Sequence, residues 1–335
     1  MLRYSALRAN PRAFCALTGL SPREFEALLP SFNKAWEDFP QATFIDGKDR
    51  KRAFGGGRKP RLKTNRAKLL FILFYLRIYP IQEVQGFFFG LSQEQANLWI
   101  HRLMPVLSQA LGREALLPER RPARLEEVLR QYPALKQEIF RQDSSSRDSS
   151  DQKSVEEDSE EGSGPVLFVD GTERPIRRPV DSERQKRCYS GKKKRHTVKN
   201  VLITDPDRQV LYLSRTCEGK KHDKAIADEE DYRFPDGTSL YQDKGFQGYA
   251  PPGATTYQPK KKPKGRELTD EEKAENSAIN AVRVKVEHAI GGVKVFRIAH
   301  DIFRNYKEGF DDAVMEVACG LHNFRCLRRA TAPTS

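Results

Sequence analysis

The run Pro165-Val-Leu-Phe-Val-Asp170-Gly-Thr172 joins a short, wholly apolar segment to an acidic residue. Such a segment is typical of a strand buried in the middle of a sheet. A similar arrangement returns in Ser239-Leu-Tyr-Gln-Asp243-Lys-Gly-Phe246. We therefore predict two strands that each lead into an aspartate, and we expect the second strand to lie beside the first.

The surrounding sequence predicts further strands and helices. Asp205-Pro-Asp-Arg208 is a turn by composition, because proline and aspartate favour turn conformations. The order of the predicted elements, β-β-β-α-β-β-α, indicates an α/β domain with a mixed sheet. Besides the two strands above, the elements are strands His196–Thr204, Gln209–Thr216 and Thr255–Gln258, and helices His222–Glu230, Thr269–Arg297 and Asp311–Arg329.

A third acid, Glu287, falls within the long predicted helix. At about 100° per residue, Arg283, Glu287 and Lys294 share one stripe of that helix, next to its apolar face. For this helix taken alone, an ordinary amphipathic helix with an Arg–Glu pair is the preferred interpretation. Together with Asp170 and Asp243, however, Glu287 can complete a carboxylate site for a pair of divalent metal ions. Such sites carry out phosphodiester chemistry.

The aspartates also have plainer explanations. Asp170 before glycine and Asp243 before Lys-Gly both suit turns that follow strands. Asp223 is a rival acid, and we expect it to begin a helix, either as a cap or as an accessory acid beside the metal site.

Charge points to a polyanionic partner. The 335-residue chain has a formal net charge of +13 and a pI near 9.5. Residues 143–163 contain eight acids and two bases, so the rest of the chain carries +19. We therefore expect the partner to be nucleic acid. The serine-rich acidic stretch, residues 143–164, is predicted to be a flexible linker.

Cysteine spacing and hydropathy indicate the cellular compartment. The five cysteines form no C-x-x-C pair, which indicates free thiols rather than a disulfide framework or a zinc site. We find neither the apolar core of a signal peptide nor a run long enough to cross a bilayer. The expectation is a soluble intracellular protein, which in a bacterium would be cytoplasmic and associated with the nucleoid.

Residues 1–142 are predicted to be a helical domain. Three segments within residues 60–111 suggest a helix-turn-helix, and Ser92-Gln-Glu-Gln95 fits a capping box at the start of its third helix. On that helix, Asn97, His101 and Arg102 are the candidates for DNA contact. A plain three-helix bundle is the alternative.

Basic clusters provide further candidate DNA contacts. The four consecutive residues Lys192, Lys193, Lys194 and Arg195 lie between the first two strands, and Lys260–Arg266 precedes the long helix. A third tract, Arg50–Lys63, precedes the helical segments. Clusters of this kind give affinity and salt dependence rather than sequence selection. Solvated surface is the alternative reading of each cluster.

Several motifs in this order resemble the DDE transposases of bacterial insertion sequences, in the group related to the PIF/Harbinger transposases. The resemblance covers roughly residues 166–325. Its motifs are Val169-Asp170-Gly-Thr-Glu173, Gly219-Lys-Lys-His-Asp223, Leu240-Tyr-Gln-Asp243-Lys-Gly-Phe246, Asn280-x-x-Arg283-x-x-x-Glu287 with Lys294, and Ala318-Cys-Gly-Leu-His-Asn323-Phe.

The resemblance implies a ribonuclease-H-like catalytic domain over residues 165–330, with Asp170, Asp243 and Glu287 as both catalytic residues and metal ligands. Two Mg²⁺ ions, replaceable by Mn²⁺, would support cutting of transposon ends and transfer of the 3′-hydroxyl to target DNA. Arg283 and Lys294 would hold DNA phosphates, and the protein would act as a homodimer or larger homo-oligomer. Two alternatives remain: a catalytically silent DNA-binding protein, and a metal-dependent endonuclease that does not join strands.

Overall fold

The computed structural model describes residues 2–39, 60–133, 164–263 and 265–330. These residues form two compact units. The helical unit comprises residues 1–117, 174–178 and 291–325, and the sheet unit comprises residues 118–173, 179–290 and 326–335. The predicted acidic linker, residues 143–164, lies outside the described residues except for Gly164.

The N-terminal part of the helical unit is a succession of helices, as predicted. Helix α4 is buried at nine consecutive positions, Lys68–Leu76, so it forms the centre of this unit. The Ser92 capping box is confirmed, because Ser92 Oγ accepts from Gln95 N and Gln95 Oε1 accepts from Ser92 N. The helices are α1 (Tyr4–Arg8), α2 (Pro11–Thr18), α3 (Pro22–Asp38), α4 (Asn65–Ile78), α5 (Gln82–Phe89) and α6 (Gln93–Arg113).

Part of the late sequence also belongs to the helical unit. Helix α11 (Phe310–Ala330) is buried at twelve positions between Phe310 and Arg325. Asn323 Nδ2 donates to Leu116 O at 2.9 Å, and Arg304 N donates to Tyr79 Oη at 2.7 Å. This division does not follow the predicted boundary near residue 142, because α11 buries its side chains among the N-terminal helices.

The sheet unit is built on a seven-stranded mixed sheet with the order β2-β3-β1-β6-β7, and β4 and β5 pair with β3. The predicted α/β class with a mixed sheet and flanking helices is therefore confirmed. The strands are β1 (Val166–Pro175), β2 (Tyr189–Ser190), β3 (Arg195–Thr204), β4 (Val210–Leu213), β5 (Cys217–Glu218), β6 (Thr238–Gln242) and β7 (Ala254–Tyr257). The helices of this unit are α7 (125–133), α8 (Ser182–Cys188), α9 (Asp223–Glu230) and α10 (Asp270–Lys294). The last turn of α10, from Gly291, belongs to the helical unit.

Strands β1 and β6 are neighbours, as predicted, and the structure shows that they run parallel. Their register pairs Val166 with Ser239 and ends by pairing Val169 with Gln242. Strand β1 continues to Pro175, so Asp170 lies inside a strand rather than in the turn that Asp-Gly allowed. Apolar residues from β1, β3, β6 and α9 form one core beneath this pairing, including Leu167, Val201, Leu240 and Ile226.

None of the described helices has the length and apolar character that a bilayer crossing requires.

Candidate active site

Two aspartates meet where strand β6 ends beside strand β1. Asp170 and Asp243 directly follow the last residues of the parallel register, Val169 and Gln242. Successive residues of adjacent strands in register are close neighbours. The strand pairing therefore brings together two carboxylates that are far apart in sequence.

Arg283 of helix α10 faces both carboxylates. Its Nη2 is 3.8 Å from Asp170 Oδ2, and its Nη1 is 3.5 Å from Asp243 Oδ1. Arg283 is only 6% exposed, and among the described residues its Nε has no hydrogen-bond partner. The guanidinium therefore lies beside the two carboxylates.

Burial has the largest effect on the pKa of the Asp170 carboxyl. Desolvation raises the pKa of this carboxyl to about 6, against the opposing effects of Arg283 and the Gly171 N–H. The Gly171 N–H donates to Asp170 Oδ1 at 2.7 Å. The charges of Asp243 and Asp223 also raise the pKa of Asp170. A carboxyl with a pKa raised this far is typical of a functional site.

Asp223 belongs to the same cluster. A Cβ atom built on Gly171 would fall 2.4 Å from Asp223 Oδ1, and one built on Gly245 would fall 2.8 Å from Asp223 Oδ2. The Asp223 carboxylate is therefore in close contact with the segments that follow both Asp170 and Asp243. Asp223 is the first residue of helix α9, whose N-cap is His222, and not the cap itself.

Lys199 of strand β3 supplies the second buried cation. Its Nζ lies 3.0 Å from Asp223 Oδ1 and 3.8 Å from Glu173 Oε1, and it donates to Lys221 O at 2.9 Å. Among the described residues, Asp223 Oδ1 forms this close ion pair without a hydrogen bond of good geometry. Lys199 was not among the predicted site residues, although a lysine within a strand of buried residues is a signal for such a role.

Two further predicted site residues belong to helix α10. Glu287 is exposed and follows Arg283 by about one helical turn. Lys294, at the end of α10, is half-buried and counts with the helical unit. Within the described ranges, no three acidic, histidine or cysteine side chains are grouped closely enough to hold a metal ion.

The donor set nevertheless fits a divalent cation. Asp170, Asp223, Asp243 and Glu173 face two cations, Arg283 and Lys199, which leaves an excess of two negative charges when all are ionised. Mg²⁺ and Mn²⁺ prefer such hard carboxylate oxygens. Asp223 Oδ1 is a buried oxygen without a hydrogen bond, and Asp243 is 38% exposed at its side chain, so solvent and ligands can reach it.

Residues 169–323 match the family described as DDE superfamily endonuclease. This match covers less than half of the chain. The matched segment includes Asp170, Asp223, Asp243, Arg283 and Glu287.

Two curated proteins are similar to about half of the chain. The probable transposase for insertion sequence element IS702 of Microchaete diplosiphon is 31% identical over 165 residues, 49% of this chain and 59% of the relative. The putative transposase for insertion sequence element IS112 of Streptomyces albus G is 29% identical over 160 residues, 47% of this chain and 58% of the relative. The chain therefore spans less than two thirds of either relative. No solved structure matches the chain.

The helical unit gives the three candidate DNA-reading residues different surroundings. Asn97 Oδ1 accepts from Gln82 Nε2 at 3.0 Å. His101 is half-buried, with its ring 4.8 Å from that of Phe310, and burial lowers its pKa. Arg102 lies 5.3 Å above the ring of Trp99. His101 is therefore less available to a partner than the sequence predicted.

A groove of about 520 Å³ opens beside the start of helix α6. Arg61 and Arg102 line it together with Ser92 and Trp99. In contrast, residues 78–101 contain no lysine or arginine. Any lysine or arginine that the surface around helices α5 and α6 presents to a partner must therefore lie before residue 78 or after residue 101.

The basic clusters of the sheet unit differ in how far acids neutralise them. Lys192–Arg195 forms the exposed turn between β2 and β3, and within the described residues none of the four has an ion-pair partner. In the second cluster, Lys260 pairs with Glu275 at 2.6 Å and Arg266 pairs with Glu272 at 2.7 Å. Lys262 of that cluster also pairs with Glu267. The β2–β3 turn thus keeps more uncompensated positive charge.

Proposed function

We propose that this protein is a DNA transposase that cuts the ends of its element and joins the 3′-hydroxyl to target DNA. The observation that carries the proposal is the pairing of Asp170 and Asp243 at one edge of the β1–β6 ladder, within a DDE superfamily endonuclease domain. Similarity to two insertion-sequence transposases supports it. A ribonuclease-H-like fold and a place in the PIF/Harbinger-related group are the finer parts of this proposal.

In this proposal Asp170 and Asp243 hold Mg²⁺ or Mn²⁺, Glu287 is the third ligand and Asp223 is an accessory acid. When bound, the metal supplies Lewis-acid activation of the phosphodiester. The protein's own contribution is to hold the two carboxylates one strand spacing apart and to position Asp223 with Lys199. Glu287 is on the same helix as Arg283, about one turn further along the chain.

Strand transfer by the purified protein tests the function. Labelled ends of the element are incubated with target DNA and Mg²⁺ or Mn²⁺, and the Asp243→Asn variant is assayed beside the wild type. We expect joined products from the wild type and at least about a thousandfold less from the variant. Asp236→Asn, which removes an exposed aspartate of the same unit, is the matched control.

Each other outcome has a definite meaning. Nicking without joining would identify a metal-dependent endonuclease. DNA binding without either product, by folded protein that has bound metal, would identify a silent DNA-binding protein. Equal activity in wild type and Asp243→Asn would remove Asp243 from the site.

DNA contact is proposed to come from Lys192, Lys193, Lys194 and Arg195, together with Lys294 and the flanks of the predicted helix-turn-helix. Neutralising a residue that contacts phosphate lowers the salt dependence of binding by about 0.9 per contact. Changing Lys192–Arg195 to glutamine should therefore reduce the slope of log K against log salt by roughly 2 to 4. The measurement is fluorescence anisotropy with duplex DNA over a range of salt.

A matched control removes charges that acids already compensate. The triple change of Lys260, Lys262 and Arg266 to glutamine should alter the slope by less than about 1, because each pairs with a glutamate. Equal effects of the two sets of changes on the salt slope, or an unchanged slope after the Lys192–Arg195 changes, would contradict the assignment.

Asn97, His101 and Arg102 are proposed to contribute sequence preference rather than overall affinity for DNA. A homodimer remains the proposed assembly.

A further inference from the structure

Arg283 is an unusual arginine, since it is buried between two acids without hydrogen-bonding to either. The separations of 3.8 Å from Asp170 Oδ2 and 3.5 Å from Asp243 Oδ1 exceed ordinary hydrogen-bond lengths of about 2.7–3.2 Å. A structural arginine in a carboxylate pair typically makes two parallel hydrogen bonds. Arg283 is therefore held by the combined charge of the two acids rather than by directional bonds.

Burying the Arg283 guanidinium without hydrogen bonds to the two acids costs free energy. The Arg283 side chain is 7% exposed and its buried Nε has no hydrogen-bond partner. An unsatisfied donor on a buried charged group is unfavourable, so some other interaction must compensate. The available compensation is the negative charge of Asp170 and Asp243, which would otherwise repel each other across the strand pair.

The same two carboxylates are the proposed metal ligands. We propose that Arg283 is an internal counter-cation that neutralises Asp170 and Asp243 in the metal-free protein and competes with the incoming divalent cation for them. This inference rests on the proposed metal-dependent function. Arg283 is accordingly a positioning residue. It lowers the affinity of the site for the metal ion, and it keeps the two carboxylates aligned in the folded, metal-free protein.

The second cation of the site has a different arrangement. Lys199 has a hydrogen bond to Lys221 O and ion pairs with Asp223 and Glu173, so its position is fixed by the protein. Within the described part of the chain, the Arg283 guanidinium makes no hydrogen bond to either carboxylate, and its Nε has no partner there. The guanidinium can therefore withdraw from the carboxylates without breaking a hydrogen bond, as exchange with a metal requires.

Mn²⁺ titration without DNA tests the inference. Wild type, Arg283→Gln, Arg283→Lys and Asp243→Asn are titrated with Mn²⁺ by calorimetry, in full-length protein. Removing the positive charge beside the site should make Arg283→Gln bind Mn²⁺ roughly tenfold more tightly than wild type. Arg283→Lys keeps the charge and should stay within about threefold of wild type. Arg215→Gln, which removes an exposed arginine of the same unit, should leave the affinity unchanged.

Stability gives a second measurement, because the glutamine variant leaves two acids uncompensated. We expect Arg283→Gln to melt at a lower temperature than wild type in EDTA and to regain most of the loss with saturating Mn²⁺. Protein that folds only with Mn²⁺ would support the inference equally. Protein that stays unfolded even with Mn²⁺ would overturn it, as would a folded variant with unchanged or weaker Mn²⁺ affinity.

The Mn²⁺ titration of Asp243→Asn distinguishes a failure of this inference from a failure of the proposed function. If wild type binds Mn²⁺, Asp243→Asn does not, and Arg283→Gln gains nothing, only the counter-cation role fails. If neither wild type nor Arg283→Gln binds Mn²⁺, the metal site and with it the proposed function fail.

Discussion

Replacing Asp170 with asparagine is expected to abolish DNA cleavage while making the metal-free protein more stable. Burial raises the pKa of the Asp170 carboxyl from 3.8 to about 6. The folded protein therefore binds this proton more tightly than the unfolded chain, and stability falls as pH rises from about 4 through 6. At pH 7.5 the ionised carboxylate costs on the order of 3 kcal/mol, because each pKa unit is worth about 1.4 kcal/mol.

Asparagine removes that charge and keeps an oxygen that can accept from the Gly171 N–H. We expect Asp170→Asn to raise the free energy of unfolding by about 1–3 kcal/mol at pH 7.5 in EDTA, and by much less near pH 4. Urea unfolding at both pH values measures this difference. Loss of a metal ligand should meanwhile reduce cleavage by roughly a thousandfold or more.

The exposed Asp236→Asn variant is the control for both measurements. A loss of stability in Asp170→Asn at pH 7.5 would contradict the assigned burial cost. Retained cleavage would contradict its place in the site. In the wild type, Mn²⁺ affinity should weaken as pH falls below about 6, because protonated Asp170 is a poor metal ligand.

Replacing Lys199 with methionine is expected to have the largest effect on stability. The change leaves Asp223 and Glu173 without their shared cation, and it leaves Lys221 O without a donor. Removing one partner of a buried ion pair costs roughly 3–5 kcal/mol, because the remaining charge stays desolvated. We expect Lys199→Met to lower the free energy of unfolding by that amount in urea titrations.

A second variant identifies the cause of this loss. Adding Asp223→Asn to Lys199→Met removes one of the unpaired charges, so the double variant should recover about 1–2 kcal/mol of the loss. Lys193→Met, at an exposed lysine of the β2–β3 turn, should change stability by less than about 0.5 kcal/mol. A loss below about 1 kcal/mol in Lys199→Met would show that the buried network contributes little.

Local sequence was sufficient to predict the strands that carry the site. The apolar runs before Asp170 and Asp243 predicted two adjacent strands, and the structure pairs them in parallel. The predicted helix around Arg283 is also present, as α10. These elements have strong periodicity or composition, which determine local structure before any distant contact forms.

Contacts between distant residues were not predictable in the same way. Lys199 has partners 24 and 26 residues away, and no motif links it to Glu173 or Asp223. The helical stripe placed Arg283 next to the apolar face of its helix, but it did not show that the guanidinium faces both Asp170 and Asp243. Periodicity gives the side of a helix on which a residue lies, but not the charge that it meets there.

The parallel pairing of β1 and β6 also determines when the enzyme site can exist during synthesis. Asp170 and Asp243 are 73 residues apart, and they become neighbours only when this non-local ladder forms. Parallel pairing over such a separation carries a loop-closure entropy and forms late compared with local helices. A nascent chain that has not yet released β6 from the ribosome therefore lacks the paired carboxylates of the candidate site.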